Sequence, residues 1–150
     1  MRVVVQRVSS ASVRTESGHE DLMGAGLVVL VGIEEHDEEE DADWLTGKIA
    51  RLRIFDDENG VMNLSLQDTG GDCMVISQFT LHASTKKGNR PSWIKAAPPQ
   101  TAIPLYNIFL NKMQELVRRP LKSGVFGDHM EISLVNDGPV TIIIDSKLRE

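Results

Sequence analysis

Leu27-Val28-Val29-Leu30-Val31-Gly32-Ile33 is apolar throughout, and Gly24 and Gly26 bracket its entry. A continuous apolar run of this length reads as a strand buried on both faces. Upstream, Arg2 to Val8 is rich in valine and reads as a strand. Ala11 to Thr15 follows with shorter alternation, and Gly18 supplies a turn.

Downstream, Glu34 to Asp43 holds eight of the 22 acidic residues, just before Ala42, Leu45, Ile49 and Leu52 at helical spacing. Acids in a first turn suit the positive end of a helix dipole, and Lys48, Arg51 and Arg53 suit the other end. The acidic run is therefore explained as a solvated helix start. Asp56-Asp57-Glu58-Asn59-Gly60 reads as a tight turn; the glutamate that a twelve-position calcium loop needs at its last place is missing. Asn63 to Leu66 alternates like a short strand, Gln67 to Asp72 reads as a loop, and Cys73 to Leu81 as a strand. Pro98-Pro99 introduces a second helix with Ala102, Leu105, Tyr106, Phe109, Leu110, Met113, Leu116 and Val117 along one stripe. Pro104 is expected within the first turn or so, where it is tolerated, and Pro120 closes the helix. Met130 to Val135 and Val140 to Asp145 read as strands joined by a turn at Asn136-Asp137-Gly138-Pro139. With no linker or repeat, residues 1–150 read as a single α/β domain. The expected architecture is a mixed β-sheet, or two β layers, covered on one side by two main helices.

Composition excludes several classes of function. Hydrophobic residues at 41% with charged residues at 25% indicate a folded globular chain. No apolar run nears the ~20 residues of a membrane span, and Met1 to Arg7 is too short in apolar content for a signal peptide, so no membrane partner is expected. Cys73, the only cysteine, reads as a small core residue in a reducing, cytoplasmic setting. His19, His36, His82 and His129 are scattered without ligand spacing, so no metal is expected. A net charge of −6 argues against coating DNA by charge. Yet Lys86, Lys87, Arg90 and Lys95 cluster away from the acidic run, leaving room for a local phosphate-binding surface.

Two segments carry possible chemistry. Ser77-Gln78-Phe79-Thr80 places two hydroxyls, an amide and backbone N–H groups where a buried strand leaves the core. These parts suit an oxyanion site, although polar residues at a strand exit are also ordinary. Thr80 as a nucleophile needs a base; His82, two residues on, would share its face in a straight strand. No GxSxG elbow or phosphate loop is present. The second segment is Gly138-Pro139, where a residue without a side chain beside a fixed φ makes a narrow, rigid edge. Its isomer is left open, since only about 5–6% of X-Pro bonds in folded proteins are cis.

Taken together, Met1-Arg2-Val3-Val4-Val5-Gln6-Arg7-Val8, Ser77-Gln78-Phe79-Thr80-Leu81, Lys87-Gly88-Asn89-Arg90-Pro91-Ser92, Phe126-Gly127 with Met130, and Asn136-Asp137-Gly138-Pro139-Val140-Thr141 resemble the D-aminoacyl-tRNA deacylases over essentially the full length. The resemblance implies hydrolysis of the ester between a D-amino acid, or glycine, and the 3′-terminal adenosine of tRNA. It implies a homodimer with sites at the interface and no cofactor. Ser77, Gln78, Phe79 and Thr80 would line the pocket. Gly138 and Pro139 of one subunit, held cis within the Asn136 to Pro139 motif and braced by Arg7, would exclude L-amino acids from the other subunit's pocket. Lys86, Lys87 and Arg90 are candidate tRNA contacts. Trp93, where the family pattern has phenylalanine, and Asp128-His129 depart from it and put fine specificity in doubt. The competing readings are a non-catalytic module that binds a tRNA end, and a sister deacylase with a trans Gly-Pro bond.

Overall fold

The computed structural model describes every residue, 1–150. The strands are β1 (Arg2–Thr15), β2 (Glu20–Met23), β3 (Gly26–Gly32), β4 (Phe55–Asp56), β5 (Met62–Leu64), β6 (Asp72–Ser77), β7 (Lys122–Ser123) and β8 (Met130–Asp145). The helices are α1 (Glu39–Arg51), the short α2 (Leu66–Thr69) and α3 (Pro99–Leu116), with a 3-10 turn at Phe79–His82.

β1 is the axis of the sheet. One edge pairs antiparallel with β3 (Val3 opposite Val31) and farther along with β2 (Val13 opposite Asp21). The other edge pairs with β8 along nearly its whole length. β6 runs parallel to β3, and β7 parallel to β6; β4 and β5 form a separate small hairpin. The mixed sheet curls so that its two faces bury different clusters. Val3, Val5, Leu27, Val29 and Val31 pack under α1 and α3 against Leu45, Ile49, Phe109 and Met113. Val8, Val13, Val28, Met74 and Ile76 form a second cluster, against which Leu30, Met130, Ile132 and Leu134 are half-buried. Leu27 to Ile33 thus supplies both cores, as an uninterrupted apolar strand should. Cys73 is buried beneath the helices, and burial pushes its thiol up to about 12, so it is an inert core residue. No helix is long and apolar enough to cross a membrane.

Five details differ from the sequence reading. Ala11 to Thr15 continues the first strand, because β8 bridges both halves. The strand from Cys73 ends at Ser77 rather than Leu81. Ser65 is a helix cap, accepting from the Asp68 N–H at 3.2 Å, so the short strand ends at Leu64 and part of the expected loop is α2. Pro104 lies inside α3 beyond its first turn; the carbonyl it leaves unpaired, on Gln100, belongs to an exposed residue that water can reach. Finally, Asn136 to Pro139 does not reverse the chain. Val8 pairs with Asn136 and Gln6 with Thr141, so Asp137 to Val140 arch outward opposite Arg7 within one continuous strand.

Candidate active site

Ser77 is the last β6 residue in register with β3, opposite Val31. The Gln78 N–H still reaches the Val31 carbonyl at 2.7 Å, after which the backbone coils into the 3-10 turn. Gly32 permits that coil. A Cβ there would lie 2.9 Å from Leu81 Cβ and 3.0 Å from the Gln78 carbonyl oxygen, so any other residue would push the turn off β3. In a 3-10 turn the leading N–H groups, here those of Phe79 and Thr80, have no carbonyl three residues back within the turn. The coil therefore presents backbone donors at the strand exit.

Beside this exit lies a cavity of about 260 Å³. Ser77, Gln78 and Phe79 line one side, and Phe126, Gly127, Asp128, His129 and Met130 the other. Thr80 is not part of the lining. Its hydroxyl accepts from Gln78 Nε2 at 2.6 Å, and an amide cannot serve as a base. The expected alignment of His82 with Thr80 is also overturned. The 3-10 coil replaces the straight strand, turning His82 into the interior at 3% exposure, with its Nε2 unpartnered. Nothing in the chain activates Thr80 through a hydrogen bond.

The opposite wall was visible in the sequence as the Phe126-Gly127 and Met130 fragments, with Asp128-His129 between them noted as a departure. Phe126 packs on Tyr106 with ring centroids 5.7 Å apart, and the Tyr106 hydroxyl donates to the Val75 carbonyl at 3.0 Å. Burial raises the Tyr106 hydroxyl well above its ordinary range, so it remains a neutral donor. Gly124 lets Met130 lie across it; a Cβ would overlap the methionine sulfur. Asp128 accepts from the Ser17 hydroxyl at 2.6 Å and the Ser17 N–H at 3.0 Å, and these bonds hold its carboxyl below the ordinary value. This departure from the family pattern is thus a clasp between the cavity wall and the turn after β1. A larger concavity of about 760 Å³, between Trp44, Ile142 and Leu148, gathers none of Ser77 to Thr80 and is less suited to the chemistry.

Gly138 and Pro139 are not in the cavity of their own chain. They form the crest of the β8 arch, and their peptide bond is cis. Arg7, 7% exposed, holds the arch from below. Its Nε donates to the Asp137 carbonyl at 3.0 Å, and its Nη1 donates to the Ile54 carbonyl at 2.7 Å and to Asp56 Oδ1 at 3.2 Å. Asn136 braces the arch internally, accepting from the Val140 N–H at 2.9 Å and donating to the Val140 carbonyl at 3.2 Å. Gly138 has φ +135, and a Cβ there would meet Val140 Cγ2 at 2.7 Å. The crest is exposed while its supports are fixed.

Lys86, Lys87 and Arg90 sit in the exposed stretch of a small loop closed by Ser84 and Ser92, whose backbones exchange bonds of 2.8 and 2.9 Å. None of the three takes part in an ion pair. Trp93 follows the loop and meets Phe79 edge-on at 5.3 Å. The tryptophan thus touches the residue at the cavity rim.

The D-Tyr-tRNA(Tyr) deacylase family model matches residues 4–145. Proteins named D-aminoacyl-tRNA deacylase from Flavobacterium johnsoniae and Parabacteroides distasonis are 58% and 57% identical over 150 residues, covering all of both chains. A solved structure described as the c-Myc DNA Unwinding Element Binding Protein superposes with a TM-score of 0.90 at 38% identity, covering 97% of this chain and 98% of that one. A second, described as a probable eukaryotic D-amino acid tRNA deacylase, gives 0.81 at 17% identity, covering 95% and 97%, and shares the fold. With a family model matching residues 4–145 and relatives 57–58% identical along the full length, the chain belongs to the D-Tyr-tRNA(Tyr) deacylase family of hydrolases.

Proposed function

We propose that the chain hydrolyses the ester joining a D-amino acid, or glycine, to the 3′-terminal adenosine of tRNA, as a homodimer in the cytoplasm. Gly138 and Pro139 of one subunit would enter the cavity of the other and leave no room for the side chain of an L-residue. The observation that carries this reading is the separation of two fitted parts within one chain: an open cavity beside Ser77 to Phe79, and an exposed, rigid arch elsewhere. Each part supplies what the other lacks.

In the reaction, water attacks the ester carbonyl, the bond to the ribose 3′-oxygen breaks, and that oxygen leaves with a proton as the free amino acid departs. An aminoacyl ester is already activated, and the adjacent 2′-hydroxyl can relay the proton. The enzyme's task is then to position the ester and stabilise the oxyanion. The free N–H at the start of the 3-10 turn, that of Phe79, which lines the cavity, is the donor assigned to that oxygen. Thr80 takes no covalent role, because no base reaches it. Exclusion by a fixed edge discriminates more sharply than preference for a slightly better-filled pocket. Lys86, Lys87 and Arg90 are assigned to tRNA phosphates.

Purified protein incubated with D-Tyr-tRNA and L-Tyr-tRNA should release D-tyrosine and leave the L-ester intact. Equal release, or none, would overturn the proposal; binding of charged tRNA without release would favour a non-catalytic tRNA-end module. Sedimentation analysis should give a dimer, and a monomer active at high dilution would remove the shared site.

A further inference from the structure

The exposed Phe79–Trp93 pair and the cationic loop beside it have no task within the fold. Phe79 is 54% exposed and Trp93 41%, and Ile94 alongside is 86% exposed. The rings meet edge-on, at an interplanar angle of 74°, so they do not stack on each other. Along this segment of the chain the charge is one-sided, although Asp128 lines the same cavity and Glu34 bridges to Ala96. The chain has 22 acidic residues, yet no Asp or Glu occurs between Asp72 and Glu115, the segment holding Phe79, the loop and Trp93. Lys86, Lys87, Arg90 and Lys95 all lie in it and are exposed. On a protein of net charge −6, the loop Lys86 to Arg90 is thus a run of exposed, unpaired cations next to the aromatic pair.

Aromatic faces combined with unpaired cations are the ordinary means of holding single-stranded nucleic acid: bases stack on the rings while Lys and Arg follow the phosphates. An acidic protein partner would be drawn by the cations but has little use for an open indole. A duplex offers its bases no route to a ring. We propose that Trp93, with Phe79 at its edge, is a stacking platform for the unpaired nucleotides immediately preceding the terminal adenosine, with the Lys86–Arg90 loop neutralising their phosphates. This inference rests on the deacylase reading above and deepens it: the terminal ester enters the cavity while the preceding bases are gripped outside it.

The test uses the full-length protein with a 5′-labelled tetraribonucleotide ACCA, and a blunt RNA hairpin as comparison. Trp93→Ala should weaken ACCA binding about tenfold, and Trp93→Phe should restore most of it. The triple variant Lys86→Ala, Lys87→Ala, Arg90→Ala should lower the slope of log affinity against log salt by about 2. With esters, Trp93→Ala should reduce kcat/KM on D-Tyr-tRNA relative to that on D-Tyr-adenosine, which lacks the preceding nucleotides. An unchanged ratio together with unchanged ACCA affinity, or blunt hairpin bound as tightly as ACCA, would overturn the platform. If the wild-type protein releases nothing from either ester while Trp93→Ala still loses ACCA binding, the platform stands and the deacylase reading fails.

Discussion

Arg7 donates from Nε to the carbonyl oxygen of Asp137 at 3.0 Å, anchoring the residue just before Gly138 to the central strand. Arg7 lies opposite the outward arch of β8, where β1 pairing skips from Gln6 to Val8. A buried guanidinium amid valines is costly unless its donors are occupied, and here two backbone carbonyls and two carboxylates take them.

Arg7→Ala should therefore destabilise the fold by about 1–3 kcal/mol, mostly from the unpaired Ile54 and Asp137 carbonyls. The Asp56 and Asp137 carboxylates are half-exposed, so their lost ion pairs add little. Chiral selectivity should fall more than stability predicts, because the arch loses its brace. Denaturant unfolding and D- against L-ester hydrolysis separate the two effects; a stable variant with wild-type selectivity would show that the brace is dispensable.

Gly138→Ala should disturb the arch through contact with Val140 and through its positive φ. The expected result is a loss of D-over-L discrimination of about tenfold or more, since displacements near 1 Å at a reacting site have effects of that order. Unchanged selectivity in a folded variant would count against the steric role.

Thr80→Ala should retain activity within about tenfold of wild type, the hydroxyl being tied to the Gln78 amide. A nucleophile would lose several orders of magnitude. Single-turnover hydrolysis of a D-aminoacyl ester decides between them.

Ser17→Ala should raise the Asp128 carboxyl toward its ordinary value of 3.8, because the Ser17 hydroxyl is the main group holding it down. A carboxyl lowered on folding contributes stability that is present above the unfolded value and is lost as pH falls through the folded one. The wild-type clasp should thus weaken only below about pH 4, and the variant should lose it at higher pH. NMR titration of Asp128 reads this directly, and an unmoved midpoint would refute the clasp.

The α/β class, the two long helices and the Leu27 to Ile33 strand were legible because helical spacing and an unbroken apolar run report local burial. The coil after Ser77 was not. It depends on Gly32 making room from a different strand, so Cys73 to Leu81 looks locally like one long strand. The Ser65–Asp68 cap lies in plain view but competes with alternation across Asn63 to Leu66. The arch defeated local reading for a related reason: Asn136 to Pro139 has turn chemistry, and only pairing of both flanks with β1 shows that the strand continues. Asp128 stood out as a departure, while its partner Ser17 lies 111 positions away.

The arch and the cavity occupy different parts of one chain, so under the dimer proposal a defect in either is a defect in one half of each site. A subunit carrying Gly138→Ala and a subunit with a blocked cavity should each be impaired alone. Mixed and allowed to exchange, they should form heterodimers with one site faulty in both halves and one assembled from two unaltered halves. Selective hydrolysis would then reappear from two failed proteins, at up to half the wild-type activity of each mixed dimer.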